Sequence, residues 1–241
     1  MVGLSGGLGV TNGEDHSLAG IELLAELTGA ERQSLERACA WRTYPAHEQI
    51  IDRHSDSRDI FFVVSGRVRV VNYSLSGREI SFDDIDSGGY FGELAAIDGE
   101  PRSANVVALN TTTVATLSPQ RLEEMARTHP AISFALLKHL AHIIRRATDR
   151  IMDLSTLGAH NRVHAEILRL ARDNEKDDNT ALVRPIPIHS DIASRVSTTR
   201  ETVARVLGDL SRAKLVTRER NALIVHDIER LEDMVEEFRG E

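Results

Sequence analysis

Apolar positions in LAGIELLAELTGAERQSLERAC, residues 18–39, recur every three or four residues, which predicts one or two short helices divided near Thr28 and Gly29. The period then changes. In DIFFVVSGRVRVVNYSLSGREISFDDI, β-branched and aromatic runs are interrupted at Ser65–Gly66 and Ser76–Gly77, and RVRVV alternates as a half-buried strand does. SANVVAL and TTTVATL continue the strand-like texture, and short strands at regular spacing with glycine turns predict an antiparallel β-roll.

From Pro119 the pattern is helical, with PQRLEEMARTH carrying proline in its first turn and a longer helix running from Pro130 to Leu157. In the longer helix Leu136, Leu140, Ile143, Ala147, Ile151 and Leu154 form an apolar seam on one face. Such a seam fits either a helix lying on its own roll or a parallel homodimer, and a narrow seam on so long a helix favours the dimer. Gly158 is expected to stop this helix.

Beyond it, AHNRVHAEILRLARDN is helical and VRPIPI is extended, because Pro185 and Pro187 disfavour helix around them. The remainder reads as helix, tight turn, helix and hairpin: HSDIASRV, STT, RETVARVLGDLSRAK, then LVTR and ALIV about ERN. The expected fold class is α+β, organised as a flexible head at 1–17, a β-roll domain at 18–130, a dimerisation helix at 131–157 and a winged helix-turn-helix at 158–241.

Composition narrows the function. The chain has 241 residues, 41% of them hydrophobic, enough for two cores. No apolar run reaches the roughly 18–20 residues of a membrane span, and the start lacks a charged segment followed by an apolar one, so a cytoplasmic protein with no membrane partner is expected. One cysteine, Cys39, excludes an intrachain disulfide and a thiolate metal cluster. The net charge is −8, yet Arg184–Val225 holds eight Lys/Arg against four Asp/Glu, so a local basic segment remains able to dock on phosphates.

On a helical wheel of TRETVARVLGDL, Val203, Val206, Leu207 and Leu210 share the buried arc, while Arg200, Glu201 and Arg205 share the opposite one beside small Ala204 and Gly208. Two arginines around a carboxylate suit the major groove, where Arg forks onto guanine and a carboxylate accepts from cytosine N4. A blander reading is available: Thr198 to Glu201 also matches a capping box, and such charges are common on solvated faces. The preceding helix, the turn and the basic hairpin favour double-stranded DNA, with Lys214, Arg218 and Arg220 on phosphates.

A second cluster lies in GGYFGELAAIDGEPRSANVV, residues 88–107, where Glu93, Arg102 and Ser103 sit among small and apolar residues. Either Glu93 and Arg102 close a loop as an ion pair, or the three meet a cyclic nucleotide, Arg102 and Ser103 on its phosphate and Glu93 on its ribose hydroxyl.

SGRVRV, GYFGELAAIDGEPRSANVVA and STTRETVARVL, in that order around a long helix, resemble the catabolite activator branch of the CRP/FNR transcription regulators over about residues 18–226. The resemblance implies a cyclic-AMP effector held by Glu93, Arg102 and Ser103, with close contacts from Gly92 and Leu94 and with Val70 and Phe82 lining the pocket. The family's Thr–Ser pair on the dimer helix falls on Ala147 and Thr148, which loses one hydroxyl and leaves cyclic GMP open as a second effector; Thr148 keeps its own. Gly158 stands where the family commonly has Asp, and His189 and Ser190 replace the Arg and Gln that anchor DNA backbone ahead of the first helix of the motif. Arg200, Glu201 and Arg205 match the base-reading triad, implying a palindromic TGTGA-like operator. RNA polymerase is a further implied partner.

An enzyme is not expected: no GxxxxGK[ST], GxSxG or HExxH is present. His160 with His164, and His139 with His142, lack a third ligand, so no metal is expected. Trp41 reads as core or dimer-edge packing, and a haem sensor is disfavoured by Cys39 standing alone. Two alternatives stay open: a nucleotide-binding module that acts through protein partners, and a family member that senses a different small effector.

Overall fold

The computed structural model describes residues 16–176 and 178–237. The expected head, 1–17, therefore lies almost wholly outside the described residues. The chain divides into two compact units, one running up to Arg69 and including Asp84–Ala135, the other combining Val70–Asp83 with residues from Leu136 onward.

The first unit opens with a 3₁₀ turn at Glu22–Leu24 and α1, Gly29–Ala38. Thr28 begins α1 with a capping box: its hydroxyl accepts from the Glu31 N–H while the Glu31 carboxylate accepts from the Thr28 N–H. The strands follow as β1 (Ala40–Tyr44), β2 (Gln49–Ile51), β3 (Ile60–Ser65), β4 (Arg67–Tyr73), β5 (Glu79–Asp86), β6 (Tyr90–Phe91), β7 (Asn105–Ala108) and β8 (Thr112–Leu117), with α2, Glu93–Asp98, between β6 and β7; Val70–Tyr73 of β4 and Glu79–Asp83 of β5 are counted with the second unit. They form two four-stranded sheets in the orders β1-β8-β3-β6 and β2-β7-β4-β5. The pairs β1/β8, β3/β8, β3/β6 and β2/β7 are antiparallel, and Ile60, Phe62, Val63, Val68 and Leu117 are fully enclosed between the layers.

Strand β4 departs from simple alternation. Arg69 is buried instead of facing solvent, because its Nε and Nη2 form a fork onto the two Asp84 carboxylate oxygens at 2.6 and 2.9 Å. At the β3–β4 turn Gly66 has φ 88°, and a Cβ there would lie 2.5 Å from the Thr111 carbonyl, so only glycine fits.

After α3, Pro119–Thr128, comes α4, Pro130–Thr156. Its apolar seam is not the expected one. Leu136 is buried and Leu140 and Ile143 are half-buried, whereas Phe134, Leu137, Ile144 and Ile151 are 59–64% exposed. With Ala141 and Thr148 these exposed positions step by three and four, a heptad face shifted from the predicted one. Helix α4 ends at Thr156, close to the expected stop, and Gly158 itself, at φ −63°, ψ 161°, is the N-cap of α5, Ala159–Arg172.

In the second unit α5 packs with β9 (Ala181–Val183), α6 (His189–Arg195), α7 (Arg200–Arg212) and α8 (Ile228–Glu237), while β10 (Val216–Glu219) packs on α7 and pairs with β11 (Ala222–Val225). Val163, Ile167, Val203, Val206, Leu210 and Leu231 fill the centre. The wing has three strands, in the order β10-β11-β9, where the sequence suggested a two-stranded hairpin. Helix α8 closes over α5 and was not anticipated either.

Candidate functional site

In the first unit the 88–107 segment folds into a tight cage. Gly92 is the N-cap of α2 at φ 81°, ψ 6°, which places Glu93 at the first helical position, buried at 6% exposure. Arg102 is buried at 4% exposure. Its Nη1 donates to the Gly92 carbonyl at 3.0 Å, its Nη2 to the Asp59 carbonyl at 2.8 Å, and its Nε and Nη2 both reach Ser57 Oγ, at 3.2 and 3.1 Å. The guanidinium also lies 5.5 Å from the centre of the Phe61 ring. The loop is thus closed through neutral acceptors, not by the simple Glu93–Arg102 ion pair that the sequence left open.

Burial lowers the Arg102 pKa, with Asp59 and Glu93 acting against that shift and Arg58 reinforcing it. Tyr90 is pushed up by burial, then by the carboxylates of Glu93 and Glu22. Glu93 is therefore electrostatically coupled to both Tyr90 and Arg102. Leu94 is half-buried and Ser103 is exposed.

The remaining residues expected around an effector belong to the second unit. Val70 is half-buried on β4, and Phe82 is 43% exposed on β5 with the Arg150 guanidinium 5.4 Å from its ring centre. Thr148 is exposed on α4 and donates its hydroxyl to the Ile144 carbonyl at 3.0 Å.

In α7 the expected face is present. Val203, Val206 and Leu210 are buried and Leu207 is half-buried, while Arg200, Glu201, Ala204, Arg205 and Gly208 are exposed. The N-cap is Thr199, whose hydroxyl accepts from the Thr202 N–H at 3.2 Å; the Thr198–Glu201 capping box does not form. Glu201 stays on the exposed face, its pKa lowered by its own backbone N–H and then by the Thr199 hydroxyl.

His189 and Ser190 lie inside the first turn of α6, not ahead of it. His189 is half-buried, and burial followed by Arg218 and Arg200 holds its pKa below 6.5, so the three cationic positions are within electrostatic reach of one another. Lys214, Arg218 and Arg220 are exposed. Lys214 takes the left-handed conformation, φ 59°, at the end of α7, and Arg220 forms the tip of the wing. An open groove of about 220 Å³ runs between α7 and the wing, with His189, Gly208 and Arg218 on its walls.

Sequence reasoning missed two supporting arginines. Arg162 of α5 donates to the carbonyls of Leu157 at 2.8 Å, Val196 at 2.9 Å and Ser197 at 3.2 Å, tying the end of α4 to the turn between α6 and α7. Arg78, beside the β4–β5 turn, donates to the next carbonyl, Thr198, at 2.5 Å. No sequence signal singles out either, because both bind backbone.

This geometry coincides with two family models. The cyclic nucleotide-binding domain matches residues 41–129 and the Crp-like helix-turn-helix domain matches residues 161–234. The chain belongs to the CRP/FNR family. Among curated relatives of this family, the cAMP-activated global transcriptional regulator CRP of Haemophilus influenzae is 24% identical over 189 residues, 78% of this chain and 84% of the relative. The CRP-like cAMP-activated global transcriptional regulator of Mycobacterium tuberculosis is 27% identical over 173 residues, 71% and 77% of the two chains. A solved CooA mutant from Carboxydothermus hydrogenoformans shares the fold at TM-score 0.76 and 21% identity, covering 92% of this chain and 97% of that one. As a CRP/FNR protein the chain joins a cyclic-nucleotide-binding domain to a DNA-binding motif, the build of a regulator and not of an enzyme. No helix among the described residues is long and apolar enough to cross a membrane.

Proposed function

We propose that this protein is a cyclic-AMP-gated transcription regulator that binds a palindromic, TGTGA-like operator as a homodimer. The observation that carries the reading is the cage around Gly92, where an arginine and a glutamate at 4% and 6% exposure sit in a segment matched by a cyclic-nucleotide-binding model. Burying both charges is costly, and a cyclic phosphate and a ribose hydroxyl are groups that their chemistry suits.

In this reading Arg102 and Ser103 hold the cyclic phosphate, Glu93 accepts from the ribose hydroxyl, and Gly92 and Leu94 make close contacts. Contacts from Val70, Phe82 and Thr148 are proposed on the sequence resemblance. Arg200, Glu201 and Arg205 read base edges, and His189, Ser190, Lys214, Arg218 and Arg220 meet phosphates. The exposed Phe134, Leu137, Ile144 and Ile151 face of α4 is covered by the same face of a second copy, within the proposed 131–157 dimerisation helix. RNA polymerase is the proposed downstream partner, and the cytoplasm the proposed location. The proposed domain limits are those drawn from the sequence, 18–130, 131–157 and 158–241.

A second reading, a family member gated by cyclic GMP or another anionic effector, is favoured by Ala147, which offers no hydroxyl beside Thr148. Fluorescence anisotropy of a labelled palindromic duplex tests the proposal against both this reading and a module acting through protein partners. Operator binding that requires cyclic AMP and weakens steeply with salt is expected. Equal responses to both nucleotides support the second reading, and no duplex binding under any condition contradicts the proposal.

A further inference from the structure

The Nε–Nη2 edge of Arg102 is the fork that grips two oxygens of a phosphate or carboxylate. Here a single oxygen occupies it. Ser57 Oγ accepts from Nε at 3.2 Å and from Nη2 at 3.1 Å. With Asp59 O on the second Nη2 hydrogen and Gly92 O on one Nη1 hydrogen, four of the five N–H donors of the guanidinium are engaged.

Ser57 is held in that position. It lies on the link between β2 and β3, half-buried, where Arg58 fixes its carbonyl through Nη1 at 3.0 Å and anchors the same link to the Gly99 carbonyl through Nε at 2.9 Å. Its Oγ is 3.3 Å from Ser55 Oγ, a neighbour to which its own hydroxyl proton can turn while the oxygen accepts from Arg102. A neutral hydroxyl is a weaker acceptor than a phosphate oxygen. It yields to an anion, at the expense of the two contacts it already makes.

We propose that Ser57 is a resident competitor for the anionic group of the effector, an affinity-setting residue that occupies the phosphate-gripping edge of Arg102 until a nucleotide displaces it. The proposal rests on the reading of Arg102 as the phosphate ligand. It assigns Ser57 a part that acts through Arg102 and against binding. A loop anchor would leave affinity unchanged, and a co-ligand would strengthen binding.

The test is calorimetric titration of the full chain with cyclic AMP, for wild type, Ser57→Ala, Ser57→Asp, Arg102→Ala and the Ser57→Ala/Arg102→Ala double variant, with melting curves for each. Removing the hydroxyl should tighten binding by about tenfold, the scale of one hydrogen bond to a charged group. A carboxylate at 57 takes the fork with both oxygens and should weaken binding by at least as much. The double variant should bind no better than Arg102→Ala, since the competitor has nothing left to occupy. Should Ser57→Ala misfold, Ser57→Gly removes the same hydroxyl and the Ser57→Asp result stands independently. Affinity unchanged or lower in Ser57→Ala, with binding still abolished in Arg102→Ala, overturns the proposal and leaves the phosphate reading standing. Wild-type binding that survives Arg102→Ala overturns both.

Discussion

The carbonyl of Gly92 accepts from Arg102 Nη1 at 3.0 Å, and a Cβ on residue 92 would lie 2.7 Å from that same nitrogen. The backbone at 92 is left-handed, φ 81°, so an L side chain is strained there before any contact is counted. Gly92→Ala should therefore destabilise the first unit by about 1–3 kcal/mol and move the guanidinium. Thermal melting and cyclic-AMP titration check this together, and an unchanged affinity would separate the Gly92–Arg102 contact from effector binding.

Arg162 joins Leu157, Val196 and Ser197 through three backbone carbonyls. Arg162→Ala leaves those carbonyls without their donor, and loosens the turn that aims α7. We expect a loss of about 1–3 kcal/mol in the stability of the DNA-binding unit and weaker operator binding, with nucleotide affinity unaltered. Hydrogen exchange at the α6–α7 turn reads the local effect.

Arg205 and Arg218 are both exposed, but they sit on different elements, α7 and the wing. Arg205→Ala should relax base preference by about 1–3 kcal/mol at one position per half-site. Arg218→Ala should weaken all duplexes alike and reduce the salt slope by about one. Competition among single-base operator variants distinguishes the two patterns, and a uniform loss for Arg205→Ala would make it a phosphate contact.

Ile144 is 64% exposed in the chain by itself, so Ile144→Asp has little cost in an isolated protomer. If a second copy covers this face, the variant places a carboxylate in an apolar seam. Sedimentation velocity should show a dimer for wild type and a folded monomer for Ile144→Asp.

Burial, then the His160 charge, lowers the His164 pKa from 6.5, with Asp209 opposing, and its Nδ1 is buried without a hydrogen-bond partner among the described residues. A histidine whose folded pKa is depressed favours its neutral form in the native state. Its contribution is whole above the unfolded value of about 6.5 and is lost as pH falls below it. The DNA-binding unit should therefore lose thermal stability as pH falls below about 6.5. His164→Gln should flatten part of that slope; His189, lowered in the same direction, should supply another part.

The recognition helix was legible because its chemistry is segregated by wheel position: buried Val203, Val206 and Leu210 on one side, exposed Arg200, Glu201 and Arg205 on the other. The α4 seam was misread because that helix has two apolar faces. Leu136, Leu140 and Ile143 turn toward shelter and Leu137, Ile144 and Ile151 toward solvent, and periodicity alone does not distinguish which face the chain itself covers.

Arg69 shows another limit. Its charge argued for an exposed position, but Asp84, on the neighbouring strand, supplies a two-oxygen partner that makes burial tolerable. Arg102 and Glu93 were recognisable as a pair of buried charges, yet the acceptors that hold Arg102 are two carbonyls and a serine, groups without any signature in sequence. The third wing strand and α8 were hidden for a similar reason: β9 is three residues long and its role comes from pairing with β11.

The central claim is that effector and operator are linked through one protein, and linkage is reciprocal. Calorimetric titration of cyclic AMP into the chain, with and without a saturating palindromic duplex, measures it directly. Cyclic AMP should bind more tightly when operator is present, by the same factor that cyclic AMP tightens operator binding. Identical affinity in the two titrations, or no heat of binding in either, would contradict the account.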